Sequence, residues 1–194
     1  PLGSAVGNAL EVKEALLTLR GGGPSDFWQH CLEVAAHMVH LAGKAETLPE
    51  ARNLLRAARE SGQALSRFRD MVVAQEGEGR QVDEPELLPQ AEYVAEVTAA
   101  ESGVIAAMDT MALGWAAVHL GGGRRVKGEQ IDHAVGFILP IKVGDRVPAG
   151  AKIATIHANQ KDKLERAKEE ILAAITWSAE KVPPLPLFYE TITA

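Results

Sequence analysis

One stretch of this 194-residue chain decides the fold of its second half: Lys142-Val143-Gly144-Asp145-Arg146-Val147-Pro148-Ala149-Gly150. A glycine–aspartate pair between apolar positions favours a tight turn, because glycine adopts positive φ and aspartate hydrogen-bonds nearby backbone. A second glycine, Gly150, follows just before the apolar run Ala154-Thr155-Ile156. The pattern predicts a sharp corner between short strands of a small β-rich domain.

The sequence on either side of this corner predicts that the β-rich domain covers residues 92–194. Five segments have the composition of strands: 93–98, 103–108, 134–143, 152–157 and 187–192. Two helices are predicted between them, one capped by Thr110 and one that is capped by Asn159 and runs to about residue 181. Strands interleaved with helices at these lengths favour an α+β domain.

The first part of the chain, residues 1–78, has the period of amphipathic helices. Four helices are predicted, with caps at Asn8, Ser25 and Thr47 and a fourth start after Gly62. Thr47 and Glu50 have the spacing of a capping box. Residues 79–91 are rich in Gly, Glu, Asp, Gln and Pro, and this composition predicts a linker between the helical part and the α+β domain.

Composition and charge exclude several functional classes. Hydrophobic residues make up 46% and charged residues 24% of the chain, as is typical of a globular protein. The formal net charge of −6 argues against a nucleic-acid binder. The single cysteine, Cys31, excludes a disulfide scaffold and a cysteine-based zinc site, and it fits a reducing compartment. Apolar runs stay below the roughly 18 residues that a membrane-spanning helix needs.

Three histidines on the predicted second helix are the first candidates for a metal site. His30, His37 and His40 could line one helical flank, as metal ligands sometimes do. A third carboxylate or cysteine ligand is missing from the pattern, so a solvated edge is the favoured interpretation. Cys31 lies in the apolar stripe of the same helix and is expected to be a small buried hydrophobe.

Glycine triplets and acidic pairs are weaker signals. Neither Gly21–Gly23 nor Gly121–Gly123 has the spacing of a dinucleotide or P-loop motif. Arg124 and Arg125 follow a helix end, where they are expected to offset the negative end of its dipole. The pairs Asp83-Glu84 and Glu169-Glu170 fall in the linker and on a charged helix face, without a cleft that acid–base catalysis needs.

Several stretches resemble, in the expected order, the pyrimidine nucleoside and thymidine phosphorylases. They are residues 1–15, 21–26, 87–91 with Tyr93, 121–125, 131–137, 142–150 and 156–159. The corner alone also resembles biotinyl and lipoyl carrier domains. Those carriers modify a lysine at a hairpin tip, and the matching residues 106–113 contain no lysine.

The resemblance implies an enzyme of reversible phosphorolysis, in which phosphate attacks C1′ of a pyrimidine nucleoside such as thymidine or uridine. The products are the free base and (deoxy)ribose 1-phosphate, and phosphate is a co-substrate without an organic cofactor. The base-binding residues and the phosphate loop of the family do not match any stretch here, so no catalytic or substrate-binding residue is assigned. The chain is therefore expected to be a C-terminal part that is inactive alone.

The resemblance also refines the expected fold, α/β plus α+β. Residues 1–78 would be the helical end of a central α/β domain, and residues 92–194 a hammerhead or barrel-sandwich-like α+β domain. The full-length protein would be a cytoplasmic homodimer that binds neither nucleic acid nor membranes. The stretch Pro1-Leu2-Gly3 continues the family signature, so it is expected to be native sequence.

One functional site is carried over from the resemblance, a potassium site. Its ligands here would be the backbone carbonyls of Leu2 and Ala5 and the side chain of Glu14. Hard cations prefer such oxygen ligands. Leu2 and Ala5 are expected in an irregular loop, whose carbonyls are not used by a helix.

The alternative interpretation is a non-catalytic structural or ligand-binding module derived from the same family. Under the enzyme interpretation, the helical part is expected to leave apolar side chains uncovered, namely Val12, Leu16, Leu19 and Met38. A chain with that surface would aggregate or need a partner.

Overall fold

A computed structural model describes residues 1–192. Packing divides the chain into two compact units. The sheet unit contains Pro1, Gly3–Glu11 and the chain from Pro89 onward. The helical unit contains Leu2 and Val12–Leu88. This grouping differs from the predicted boundaries, because the N-terminal segment is grouped with the second half of the chain.

The helical unit consists of five helices. They are α1 (Asn8–Leu19, whose first turn lies in the sheet unit), α2 (Ser25–Leu41), α3 (Leu48–Glu60), α4 (Gln63–Ala74) and the short α5 (Arg80–Asp83). Small residues form the contact around α2 and α3, where Ala36, Ala45 and Ala51 are buried. Leu16, expected on the uncovered face, is fully buried instead.

The predicted linker, residues 79–91, is largely structured. It contains α5 and a 3₁₀ turn at Pro85–Leu87. Val82 is buried, and the Arg20 guanidinium donates hydrogen bonds to the carbonyls of Val82 (2.7 Å) and Asp83 (2.9 Å). Burial of Val82 and the hydrogen bonds from Arg20 therefore hold this segment in place, although its polar composition indicates a linker.

The sheet unit contains two small antiparallel sheets. The first has the strand order β1 (Ala5–Val6), β4 (Gly136–Ile138), β6 (Lys152–Ala158), β2 (Tyr93–Thr98). The second has the order β5 (Arg146–Val147), β3 (Gly103–Met108), β7 (Ile175–Ser178). Two helices complete the unit: α6 (Thr110–Ala117), which continues as a π turn at Val118–Gly122, and α7 (Lys161–Ala173).

The core of the sheet unit is aliphatic, with one phenylalanine. Phe137 on β4 pairs with Ile156 on β6, and both side chains are fully buried. Other fully buried members come from strands, connecting segments and α7: Ile105, Val135, Leu139, Ile153 and Ile171. Burial of such aliphatic side chains is the main source of stability in a chain with few aromatics.

Two strand predictions and the end of one predicted helix need correction. The predicted strand 134–143 is reduced to β4, and beyond it the Leu139 amide still donates to the Ser4 carbonyl. Residues 187–192 form no strand in the described chain. The end of the predicted α7 is instead β7, where Trp177 pairs with Ile105 and Ile175 with Met108. Pairing with β3 overrides local helix propensity there. The α+β prediction for the C-terminal part is confirmed.

Candidate functional site

The N-terminal segment, Pro1–Val6, carries two of the three predicted ligands, and it forms the edge of the first sheet. Ala5 lies opposite Ile138, Val6 opposite Phe137, and the Leu139 amide donates to the Ser4 carbonyl at 2.7 Å. The next residue, Gly7, must be glycine, because a Cβ there would lie 2.6 Å from the Val135 carbonyl oxygen. The close approach of two backbones therefore fixes where this segment enters the sheet.

Lys142, in the corner that decides the fold, contacts the same segment. Its Nζ donates hydrogen bonds to the carbonyls of Pro1 and Gly3. The Lys142 amide donates to Oδ2 of Asp145 at 2.8 Å, and the Asp145 amide donates back to the Lys142 carbonyl at 3.1 Å. The glycine–aspartate turn thus holds the backbone from which the ammonium group extends. Sequence patterns predict this turn but give no signal for the long-range contacts of the lysine.

The three predicted potassium ligands are placed as follows. Ala5 belongs to β1 in the sheet unit, so the expectation of an irregular loop is wrong for this residue. Because Ser4 and Val6 occupy the hydrogen-bonded positions, antiparallel geometry turns the Ala5 carbonyl away from β4. Leu2 and Glu14 belong to the helical unit, Glu14 within α1.

The donor chemistry of these residues fits potassium. Two backbone carbonyls and a carboxylate form an all-oxygen set, which hard cations prefer. Carbonyls of the N-terminal segment already accept hydrogen bonds from a cationic group, the Lys142 ammonium. The segment can therefore present its carbonyl oxygens to a positive charge.

The histidines of α2 contact separate partners. His37 Nε2 lies 3.5 Å from a Glu33 carboxylate oxygen, and His40 Nδ1 lies 3.1 Å from the Ala45 carbonyl. Arg52 binds both oxygens of Glu33 at 2.7 Å, which lowers the pKa of that carboxyl. Within residues 1–192, no group of three or more His, Cys, Asp or Glu side chains is placed to hold a metal ion.

Cys31 is half-buried on the same helix. Desolvation by burial raises the pKa of its thiol, so the protonated form is favoured. The residue has the character of a core side chain, although it is less buried than its position in the apolar stripe predicts.

Arg125 binds the carboxylate of a loop residue, Glu129, and Arg124 binds the backbone carbonyl of the same residue. The Arg125 guanidinium lies 2.6 Å from a Glu129 carboxylate oxygen, and the Arg125 amide donates to the other oxygen at 2.8 Å. Arg124 Nε donates to the Glu129 carbonyl at 3.1 Å. The hydrogen bonds from the Arg125 side chain and amide lower the pKa of Glu129 to about 2. The two arginines close the loop that follows the second glycine triplet.

A polar cluster between the π turn and α7 has no signal in the sequence pattern. His119 Nδ1 lies 2.9 Å from a Glu170 oxygen, and Arg166 Nε donates to that oxygen at 2.8 Å. Burial raises the pKa of Glu170, but the hydrogen bonds from Arg166 and His119 outweigh burial and lower it overall. The Trp115 ring stacks on His119 at 5.9 Å. Glu170, predicted on a solvated charged face, therefore joins two helical segments.

Asn159 has a similar connecting role. Its predicted position as the cap of α7 is wrong, because Gln160 precedes the helix without a side-chain cap. Asn159 instead accepts a hydrogen bond from the Glu92 amide at 2.7 Å and donates to Asp132 at 2.7 Å. The side chain connects three segments of the sheet unit.

No helix in the described part of the chain is both long and apolar enough to span a membrane. The N-terminal segment carries two of the predicted ligand residues, and backbone carbonyls of this segment accept hydrogen bonds from the Lys142 ammonium. We therefore take it as the candidate functional site.

Comparison with known proteins finds a family similar to part of the sheet unit. Residues 104–178 match the family described as "Pyrimidine nucleoside phosphorylase C-terminal domain". The whole chain is similar to pyrimidine-nucleoside phosphorylases of bacteria. It is 45% identical over 193 residues to the one from Geobacillus stearothermophilus, covering 100% of this chain and 44% of that protein.

The Staphylococcus aureus enzymes give the same result. The pyrimidine-nucleoside phosphorylases of strains USA300 and COL are each 42% identical over 193 residues, covering 100% of this chain and 44% of theirs. The chain thus spans less than half the length of these curated relatives. The resemblance to the C-terminal portion of the pyrimidine nucleoside phosphorylase family is confirmed.

Proposed function

We propose that this chain is the C-terminal portion of an enzyme of reversible pyrimidine nucleoside phosphorolysis. The observation that carries the proposal is the 45% identity to a named phosphorylase over 193 residues, 100% of this chain. In the reaction, a phosphate oxygen forms a bond to C1′ of the ribose or deoxyribose. The bond from C1′ to the base nitrogen breaks, and the base leaves with the bonding electrons and takes up a proton. The transition state resembles an oxocarbenium ion, so positioning and charge stabilisation are the main tasks of the protein.

In this reaction, the chain supports a site that other residues form. The family's phosphate loop and base-binding residues match no stretch of this sequence, so we propose that the chain has no phosphorolytic activity by itself. Its own contribution is to hold the N-terminal segment and α1 in place. Phosphate is the co-substrate, and an organic cofactor is not involved.

We further propose a potassium site at the carbonyls of Leu2 and Ala5 and the carboxylate of Glu14. The resemblance and the all-oxygen donor set support it. When bound, potassium supplies a positive charge close to the family's phosphate loop. Ala5 would offer its carbonyl from β1, where antiparallel pairing turns this carbonyl away from β4.

The finer assignments of fold and assembly are part of the same proposal. The two small sheets around one aliphatic core support a barrel-sandwich or hammerhead type for the sheet unit. The helical unit would be the end of a larger α/β domain. The full-length enzyme would be a homodimer, and the single, half-buried Cys31 supports a reducing compartment such as the cytoplasm.

A spliced enzyme tests the proposal. This chain replaces the matching portion of the Geobacillus stearothermophilus relative, and release of thymine or uracil is followed with and without phosphate. We expect phosphate-dependent release by the spliced enzyme, and none by this chain alone. A spliced enzyme that folds, as circular dichroism reports, but shows no phosphorolysis beside the active relative would contradict the proposal and favour the non-catalytic module.

A further inference from the structure

We propose that Lys142 is a positioning residue, which holds the segment Pro1–Val6 against the sheet unit. This inference rests on the proposed function in one respect, because Ala5 of that segment is a proposed potassium ligand. Lys142 would act on the ion only through the segment. Lys142 lies outside the predicted ligand set and is 141 positions from Pro1 in sequence.

The direct contact carries the first step of the argument. The Lys142 ammonium donates hydrogen bonds to the carbonyls of Pro1 and Gly3. Hydrogen bonds with a charged donor are roughly twice as strong as neutral ones. Gly3 is buried and Lys142 is partly buried, so water competes less for these groups than on an open surface. The ammonium therefore binds the segment at two carbonyls that are two positions apart.

The other end of the lysine is fixed by the corner. Asp145 exchanges two backbone-directed hydrogen bonds with Lys142, and the Gly144 amide donates to the Ile105 carbonyl at 2.9 Å. Gly144 has φ 96°, and a Cβ there would lie 2.9 Å from the Pro184 nitrogen. Since the turn is held on both sides, the ammonium is presented from a rigid base.

The segment needs such an anchor because its own strand is short. β1 has two residues, and one further bond joins the Leu139 amide to the Ser4 carbonyl. A pairing of this length is marginal without further contacts. Lys142 supplies them on the N-terminal side of β1, just before Ala5. We therefore expect loss of the ammonium to loosen Ser4, Ala5 and Val6 while the rest of the sheet stays paired.

Amide hydrogen exchange on the intact chain tests this local effect. The variant Lys142→Met removes the charge and keeps the aliphatic stem. We expect the Leu139 amide, which donates to Ser4, to exchange about tenfold faster, because it reports local opening of β1. The Asp109 amide, which donates to the Ala174 carbonyl at 2.8 Å, serves as the internal reference and should not change.

Two further variants make the result decisive. Lys152→Met is the matched control, since the exposed Lys152 ammonium lies 3.1 Å from the surface carboxylate of Glu96. This variant should leave Leu139 exchange unchanged. If Lys142→Met also unprotects Asp109, the milder Lys142→Gln, which keeps a neutral donor, is measured instead. An unchanged Leu139 rate in Lys142→Met, or in Lys142→Gln where that variant is used, overturns the inference.

The link to potassium is tested separately in the spliced enzyme. We expect Lys142→Met to raise the potassium concentration that gives half-maximal activity. This rise should be several-fold larger than the fold-decrease of kcat at saturating potassium. Sodium chloride keeps the ionic strength constant. An unchanged potassium dependence overturns the link to the ion. If the spliced enzyme with Lys142 intact is inactive or ignores potassium, the proposed function fails, while the exchange result still decides whether Lys142 positions the segment.

Discussion

At the scale of single residues, Glu129 offers a test of how a loop is closed. Hydrogen bonds from Arg125 lower its pKa from 4.5 to about 2. Because the folded pKa lies below the unfolded value, the contribution of this carboxylate to stability is present above about pH 4.5. It is lost as the pH falls through about 2.

We expect Arg125→Met to raise the pKa of Glu129 toward 4.5, as followed by NMR titration of the side-chain carboxyl. Lys127→Met is the matched control, because it removes a charge from the same loop but not a hydrogen bond to Glu129. A pKa that stays near 2 in Arg125→Met would show that the backbone donors suffice.

Phe137 is the residue on which the core of the sheet unit depends most. It is fully buried on β4, between β1 and β6. Phe137→Ala is expected to lower the free energy of unfolding by about 3–5 kcal/mol, since it leaves a cavity. Val94→Ala on β2 removes a 58% exposed side chain and should change it by less than about 0.5 kcal/mol. Urea unfolding followed by tryptophan fluorescence measures both, and a Phe137→Ala loss below about 1 kcal/mol would count against this core.

At the scale of elements, alanine substitutions at two glycines distinguish the effect of helix propensity from that of backbone strain. Gly114 is exposed inside α6, and a Cβ there would meet nothing within 4 Å. Gly114→Ala is expected to stabilise the protein by about 0.5–1 kcal/mol, because alanine favours the helix. Gly150 has equal space but φ 77°, so Gly150→Ala is expected to destabilise by about 1 kcal/mol. Thermal unfolding compares them, and a shift of the same sign for both would contradict the argument.

The helices show why the kind of residue that caps a helix can be predicted from the sequence, whereas its exact position cannot. Thr47 accepts a hydrogen bond from the Glu50 amide at 3.3 Å, which confirms half of the capping box. The Glu50 carboxylate binds the amide of Glu46 rather than that of Thr47. At α6, Asp109 caps the helix one residue before the predicted Thr110. Neighbouring polar residues compete for the same orphan amides, so local sequence leaves the choice open.

The sheets show the limit of local patterns more clearly. β2 and β3 have the predicted bounds, because apolar and β-branched residues there are flanked by turn residues. β7 lies inside a predicted helix, since its strand state depends on pairing with β3 over more than 60 positions of sequence. The contacts of Lys142 with Pro1 and Gly3 are equally non-local. Local sequence patterns therefore give no signal for the contact between Lys142 and the N-terminal segment, and the potassium site itself stays a prediction.

At the scale of the whole molecule, the apolar side chains exposed on the helical unit are only in part the ones that the sequence predicts. Leu16 is buried, and Val12 and Leu19 are half-buried, whereas Met38 is 66% exposed. Met38 lies on α2 between Val34 and Leu41, which are 44% and 84% exposed. Positions 34, 38 and 41 fall on one face of a helix. These three exposed side chains form a stripe along α2, and we call it the α2 stripe.

We expect the chain to self-associate through the α2 stripe, because contiguous exposed apolar side chains favour association. Replacing its three residues with Thr, Gln and Gln (V34T, M38Q and L41Q) should lower the average mass in sedimentation at high protein concentration. The far-ultraviolet circular dichroism should stay unchanged, since the stripe contributes little to the core. Leu54→Gln on α3 is the control, because it removes an exposed leucine outside the stripe. A wild-type chain that stays monomeric, or a triple variant that associates as strongly, would show that the stripe does not drive association.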